Sequence, residues 1–501
     1  MKRKSHKSKS HKRHMKSYHK SNKWTKRRHH KWRGGDIESG EIEESDIQSN
    51  PFNKPSPQVL QQMRDRETQK LKIQNTVAIK SALTQNLQNR DANYSKMLQL
   101  SCKNPDNCLA LGTYDESIKR FFNDFRNLSY IEKNKVKRIG TPSANGFIIE
   151  LPFHKLNYTA YTVLKCSSKA ESDNLFYEYY VGKYFINKYI TKLPSFVETY
   201  DLYEFSSPYT YNQIKTAAET NALSSVDIAS KIRKINAPEN LFNLFNYSCL
   251  KNKLLCVLIQ HFDDFKPFSS AINNEKDNIK YELYNLMYQV YFPLCVLGMN
   301  YTHYDLHANN VFLYKPFKGK ECILMRYHRN NKIYEFKSEY IVKIIDYGRN
   351  YFYNGKISTP QIMKQICRAK ECIPDCGQDV GYSAIKGSID DPYFDFYWID
   401  PTKPNMSHDL RFMTYELDDI LIRSRLINSF TYQEMYGTPE AMGDRKNIKS
   451  IFDIRDFLEW IMPQFNPLKQ AKKYDATWKV VATMDIYDDD RDYEFVVLPD
   501  K

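Results

Sequence analysis

Glycine is scarce in this chain, at 16 of 501 residues, while tyrosine reaches 38. That balance argues against solenoid repeats and Gly-rich linkers, and no repeat of fixed period is visible. No apolar run approaches the ~20 residues that a membrane-spanning helix needs. The N-terminus lacks the apolar stretch of a secretory signal. The ten cysteines lack the regular spacing of a small disulfide framework, so free thiols in a reduced, intracellular compartment are expected, Cys102 and Cys108 among them. Acidic residues are missing altogether from residues 1–33, which hold fifteen Lys/Arg and six of the twelve His.

That last absence locates the net charge of +15, because residues 34–501 carry 59 basic and 59 acidic side chains. Residues 1–56 read as a disordered tail, basic and then acidic. Too few aliphatic side chains are present to offset the entropy of ordering it. Mobile cations with Trp24 and Trp32 among them suit non-specific contact with nucleic acid through residues 1–33. A solvated tail or a nuclear import signal is the plainer reading.

The remainder has the apolar content of an ordinary folded core. Residues 57–134 form a helical extension, with an irregular apolar face at Val59, Met63, Val77, Leu83 and Leu87. This suits a helix packed on the domain better than a coiled coil. Strand, turn and strand follow over Lys137–Ile149. Further expectations are a strand at Tyr161–Lys165, a helix over Asn174–Tyr189, a strand at Leu254–Ile259 and a long apolar helix over Ile279–Leu297.

Chemistry concentrates in His303-Tyr304-Asp305-Leu306-His307-Ala308-Asn309-Asn310 and in Ile344-Ile345-Asp346-Tyr347-Gly348. An Asp followed five residues later by an Asn, and then a second Asp opening an aromatic-Gly turn, can hold magnesium ATP beside a hydroxyl group. The bland alternatives are a surface-turn Asp305 and a strand-end Asp346 in a β-turn. The offset of five selects Asn310 rather than Asn309. Lys165 lies on an apolar strand 25 residues after Gly140, where a cation can contact phosphates; otherwise it is a solvated edge residue.

In motif order, residues 135–420 resemble a protein kinase catalytic domain. The wording around Gly140–Phe147, Asp173–Tyr179 and Ser407–Arg411 is similar to that of protein kinases of giant DNA viruses of the mimivirus type. The resemblance implies an α+β, two-lobed fold. Residues 135–262 would be a β-rich N-lobe with an insertion. Residues 263–480 would be a mainly helical C-lobe with a long activation segment, and 481–501 an acidic C-terminal tail.

It also implies ATP and Mg2+ as cofactors and a Ser/Thr hydroxyl of a protein substrate as acceptor. Asp305 would orient that hydroxyl, with His307 near the transferring phosphoryl group. Lys165 would hold phosphates and Glu178 would position Lys165. Gly140 and Gly146 would cover the nucleotide, Gln260 and His261 would form the hinge, and Asn310 and Asp346 would bind magnesium. Asp409 resembles the helix Asp that braces the catalytic loop; a helix cap is the alternative.

The chain departs from the pattern in several places. Gly140 and Gly146 are six apart without a middle glycine, so a plain hairpin competes with a phosphate cradle. Tyr304 replaces the Arg that pairs with a phosphorylated activation loop, and His307 replaces a Lys. A pseudokinase scaffold, a small-molecule kinase and a nucleic-acid packaging protein therefore stand as alternatives. Cys367, Cys372 and Cys376 lack the spacing of a zinc site. An intracellular location follows, in host cytoplasm or virion if the protein is viral.

Overall fold

A computed structural model describes residues 57–143, 146–167, 175–235, 254–274, 276–355, 404–406, 408–410, 412 and 450–499. The basic tail and the Cys367–Cys376 cluster lie outside these residues. The chain divides into two units, 1–79 and 80–501. Mixed α and β structure is present, with a β-rich region and a helical region. Among the described residues no helix is long and apolar enough to cross a membrane.

Helix α1 (Pro57–Ser101) covers the run that lacks Gly and Pro inside it. The boundary between the two units falls within α1. In the second unit, Leu87 is exposed while Leu98 is fully buried, so burial comes only with the last turns. These turns join α2 (Pro105–Ala110), α3 (Asp115–Phe121) and strands of the main sheet in one apolar cluster. Cys102 and Cys108 form a disulfide across the α1–α2 corner, contrary to the free thiols expected. The helix reversal between them brings their Cα atoms to 6.2 Å, a proximity that their spacing of six does not announce. Cys166, Cys256, Cys295 and Cys322 are buried.

The main sheet contains β1 (Lys137–Ser143), β2 (Gly146–Lys155), β3 (Tyr158–Ser167), β4 (Thr199–Phe205), β5 (Ile232–Lys234) and β6 (Leu255–Gln260). Its order is β1-β2-β3-β6-β4-β5 and every pairing is antiparallel. The two-residue period divides β6 between two cores. Leu255 and Val257 face α4 (Leu175–Tyr184), while Cys256 and Leu258 face the cluster shared with α3 and α5 (Pro208–Glu219). The central strands are apolar on both faces because both are covered. α4 ends five residues before the expected Tyr189, and a 3-10 turn at Ile186–Lys188 follows.

The helical region contains α6 (Phe268–Asn274), α7 (Lys276–Leu297) and α8 (Ile451–Lys473). α7 packs on α8, and Leu286, Met287, Tyr288, Val290 and Tyr291 are all inaccessible to solvent. A helix apolar on every side is one enclosed by protein.

Residues 263–480, expected to be mainly helical, also carry much β structure. β7 (Phe265–Pro267), β9 (Val311–Tyr314) and β12 (Ile341–Ile344) form one sheet, and β8 (Tyr301–Thr302) pairs with β13 (Tyr351–Phe352). β10 (Glu321–Arg329) and β11 (Lys332–Ser338) form a hairpin between β9 and β12. The segment expected as an acidic tail, 481–501, carries strand structure within its described residues. β14 (Lys479–Tyr487) crosses the boundary placed at 480/481 and pairs in parallel with β10, and β15 (Glu494–Val497) returns antiparallel to it. Ala482, Met484 and Ile486 alternate into the core, which holds the strand despite the acids beyond it.

Candidate active site

Three local features assemble the site. The first is the β1–β2 hairpin. Register shifts between Ile139 and Ser143, and Gly140 sits in this bulge with φ +72°. A left-handed bulge position favours glycine. Gly146 lies against β3, where a Cβ would collide with the carbonyl oxygen of Cys166. Both glycines thus have backbone reasons to be present.

The second is the pairing of Lys165 on β3 with Glu178 on α4. Lys165 Nζ lies 2.6 Å from Glu178 Oε2 and 3.2 Å from Asp346 Oδ1. Burial opposes ionisation of Asp346, but the charge and hydrogen bond of Lys165, together with His303 and Arg349, outweigh it and hold the carboxyl below its ordinary range. Asp346 itself has φ +69°, a left-handed conformation that Asp tolerates better than most residues.

The third is the loop 303–310. Asp305 and His307 approach to 3.9 Å between Oδ1 and Nε2, and Arg349 Nε lies 3.9 Å from the other Asp305 oxygen. Asn310 donates its amide to the backbone oxygen of Asp305 at 2.9 Å. Asn309 instead accepts from Ser269 on α6 at 2.5 Å, so the two adjacent asparagines are separated by their partners. His303 is fully buried: Nε2 donates to Ile345 O at 2.9 Å, and Nδ1 accepts from the N–H of Asp305 at 3.3 Å. That pair of bonds selects the Nε2-protonated ring.

Strand register joins loop and turn. Val311 lies opposite Ile344 in the β9–β12 pair, and the N–H of Ile345 continues the ladder to Asn310 O at 3.0 Å. Asn310 is thereby carried next to the segment that bears Asp346. The Asp409 carboxylate receives the N–H groups of His303 at 2.7 Å and Tyr304 at 3.0 Å. Tyr304, with φ +61°, is buried against the His408 ring, 4.7 Å between centroids.

Gln260 and His261 stand at the end of the interior strand β6, but their side chains point into protein. Gln260 donates to Leu109 O at 2.8 Å, and His261 lies between Asp106 and Glu150. Any contact these two make with a nucleotide runs through backbone groups.

Arg349 escapes a reading of the sequence, and so does the partner of Tyr347. Arg349 follows Asp346 by three residues, within the 3-10 turn Tyr347–Arg349 that bends it back toward Asp305. The Tyr347 hydroxyl accepts the N–H of Val197 at 2.9 Å, a partner 150 residues away. The donor set at Asn310 and Asp346, one amide oxygen and one carboxylate, fits a hard divalent cation. Compared with protein-family models and with curated proteins, the chain finds no match.

Proposed function

We propose that the protein is an ATP- and magnesium-dependent phosphotransferase of the protein-kinase type, acting on Ser/Thr hydroxyl groups of protein. The β-rich and helical regions would be its two lobes. The single observation that carries this reading is the position of Lys165 Nζ between Glu178 and Asp346. A cation fixed by one carboxylate and shared with a second is what positioning of ATP phosphates requires.

In this reading Lys165 holds the phosphates, and Glu178 positions its ammonium. Asn310 and Asp346 would hold magnesium, which when bound neutralises charge on the phosphates. Asp305 accepts a hydrogen bond from the acceptor hydroxyl and aims its oxygen at the γ-phosphorus. The new O–P bond replaces the bond to the β-phosphate oxygen, the hydroxyl proton passes to the Asp305 carboxylate, and ADP leaves. Arg349 and His307 flank Asp305 and place positive or polar groups where the phosphoryl charge passes.

The test is transfer of label from γ-labelled ATP, by the purified full chain with magnesium, into a mixed protein and metabolite pool. Label in phosphoserine or phosphothreonine, reduced at least 100-fold in Asp305→Asn and Asp346→Ala, is the expected result. Equal labelling by wild type and both variants, or none by any of them, overturns the proposal. Label confined to metabolites overturns its protein-acceptor part.

A further inference from the structure

Away from Lys165 and Asp305, a second group of ligating side chains gathers where α2 meets the end of β6. Asp106, His261 and Asp263 each offer one ligand atom, and these atoms all lie within 4.8 Å of one another. His261 Nδ1 is 3.0 Å from Asp106 Oδ1, and its other nitrogen, Nε2, is 3.3 Å from Glu150 Oε2. Asp106, His261 and Glu150 are buried, while Asp263 is exposed at the rim.

We infer that Asp106, His261 Nδ1 and Asp263 form a binding site for a divalent first-row cation, with Zn2+ the best fit. One imidazole and two carboxylates make a mixed N/O set, and three protein ligands leave a position open to water beside Asp263. Glu150 supplies the outer partner that ligating histidines characteristically have: a carboxylate that takes the far ring N–H and fixes which nitrogen faces the metal.

The neighbouring structure restrains these groups. The Cys102–Cys108 disulfide closes the loop that carries Asp106. Asn104 caps α2 by accepting the N–H of Asn107 at 3.1 Å, and Asn107 donates to Pro316 O at 2.6 Å. The His261 ring packs on Tyr161 with centroids 5.6 Å apart. Asp263, the surface ligand, closes on the cation by rotation of its side chain. The ion would pin α2 to the segment 260–263, independently of the phosphotransfer chemistry.

The rival arrangement is an imidazolium held between two carboxylates. Burial opposes charge on His261, and hydrogen bonds to Asp106 and Glu150 outweigh it, raising its pKa to about 9. The deciding experiment uses chelator-treated full chain titrated calorimetrically with Zn2+, and separately with Co2+ while visible absorption is recorded. The six His of residues 1–33 and free thiols also take zinc, so the readout is the difference between wild type and Asp263→Ala. Removing this exposed carboxylate leaves the core intact.

Wild type is expected to bind one equivalent more than Asp263→Ala, with Co2+ d–d bands that lack thiolate charge transfer. Those bands disappear in Asp263→Ala and in His261→Gln. Glu150→Gln retains the equivalent with affinity weakened about 10–100-fold. Identical stoichiometry and affinity in wild type and Asp263→Ala overturn the site and leave the imidazolium clasp.

Discussion

The Asp409 carboxylate accepts the backbone N–H of His303 at 2.7 Å, across 106 residues of chain. Its other oxygen takes the N–H of Tyr304, whose left-handed backbone is a conformation that costs a non-glycine residue about 1–3 kcal/mol. One buried carboxylate therefore anchors the left-handed turn immediately before Asp305.

Replacing it removes that anchor. Asp409→Ala leaves two buried N–H groups without an acceptor, at about 1–3 kcal/mol each. Urea unfolding should give a loss of about 3 kcal/mol. Phosphotransfer should fall more than the unfolded fraction explains. An unchanged midpoint contradicts the bracing role.

Gly182 on α4 gives a second test. A Cβ there would collide with the Thr199 side chain and press on the Tyr347 ring. Gly182→Ala, favourable on helix propensity alone, should destabilise by about 1–3 kcal/mol through overpacking. Thr199→Ala in the same chain should recover part of the loss of thermal midpoint. A Gly182→Ala protein as stable as wild type means that α4 is free to shift.

Lys343 makes a prediction about pH. It is buried on β12, donating to Pro194 O at 2.6 Å and Ala110 O at 3.1 Å, and burial lowers its pKa to about 7. The unfolded chain holds a proton on this amine up to about pH 10.4, whereas the folded chain loses it near 7. Between these values the unfolded state binds more protons, so Lys343 destabilises the fold less as pH rises. The stability of wild type relative to Lys343→Met should climb by up to about 1.4 kcal/mol per pH unit from pH 7 to 10. A flat difference in denaturant unfolding contradicts a buried, neutralised lysine.

The ionic cluster at α8 sets a fourth expectation. Lys473 pairs with Glu282 and lies 2.7 Å from Glu339, which also meets Lys315 at 2.6 Å. Glu282 is fully buried. Lys473→Met removes the cation and leaves buried Glu282 with only the Ser338 and Tyr474 hydroxyls as partners among the described residues; breaking a buried ion pair on one side typically costs about 3–5 kcal/mol. Calorimetric unfolding should show a marked fall in midpoint at pH 7, with Lys473→Arg recovering much of it. A Lys473→Met variant as stable as wild type contradicts a stabilising role for this cluster.

Much of the local structure was legible because it rests on short-range patterns. The β2–β3 meander, the strand at 255–260 and the apolar helix 276–297 follow from two- and 3.6-residue periods. The acidic content beyond Lys479 concealed β14, whose strand character depends on a parallel partner more than 150 residues away. Half-buried Val481, Thr483 and Asp485 alternate there with buried Ala482, Met484 and Ile486, a pattern easily overlooked in a short terminal segment. The Cys102–Cys108 bridge was hidden for a related reason: spacing alone says nothing about a helix reversal.

At the candidate site, the sequence by itself determined which residue types are available: the Asp305–Asn310 offset, Asp346 before its turn, and a lysine on an apolar strand. Tertiary structure decided what these residues touch. The β9–β12 register brings Asn310 to Ile345, α4 delivers Glu178 to Lys165, and Asp409 returns from far along the chain to hold His303. Each contact joins segments whose separation carries no local signal. Packing of apolar faces closes those distances, and the polar groups then meet the partners that burial obliges them to find.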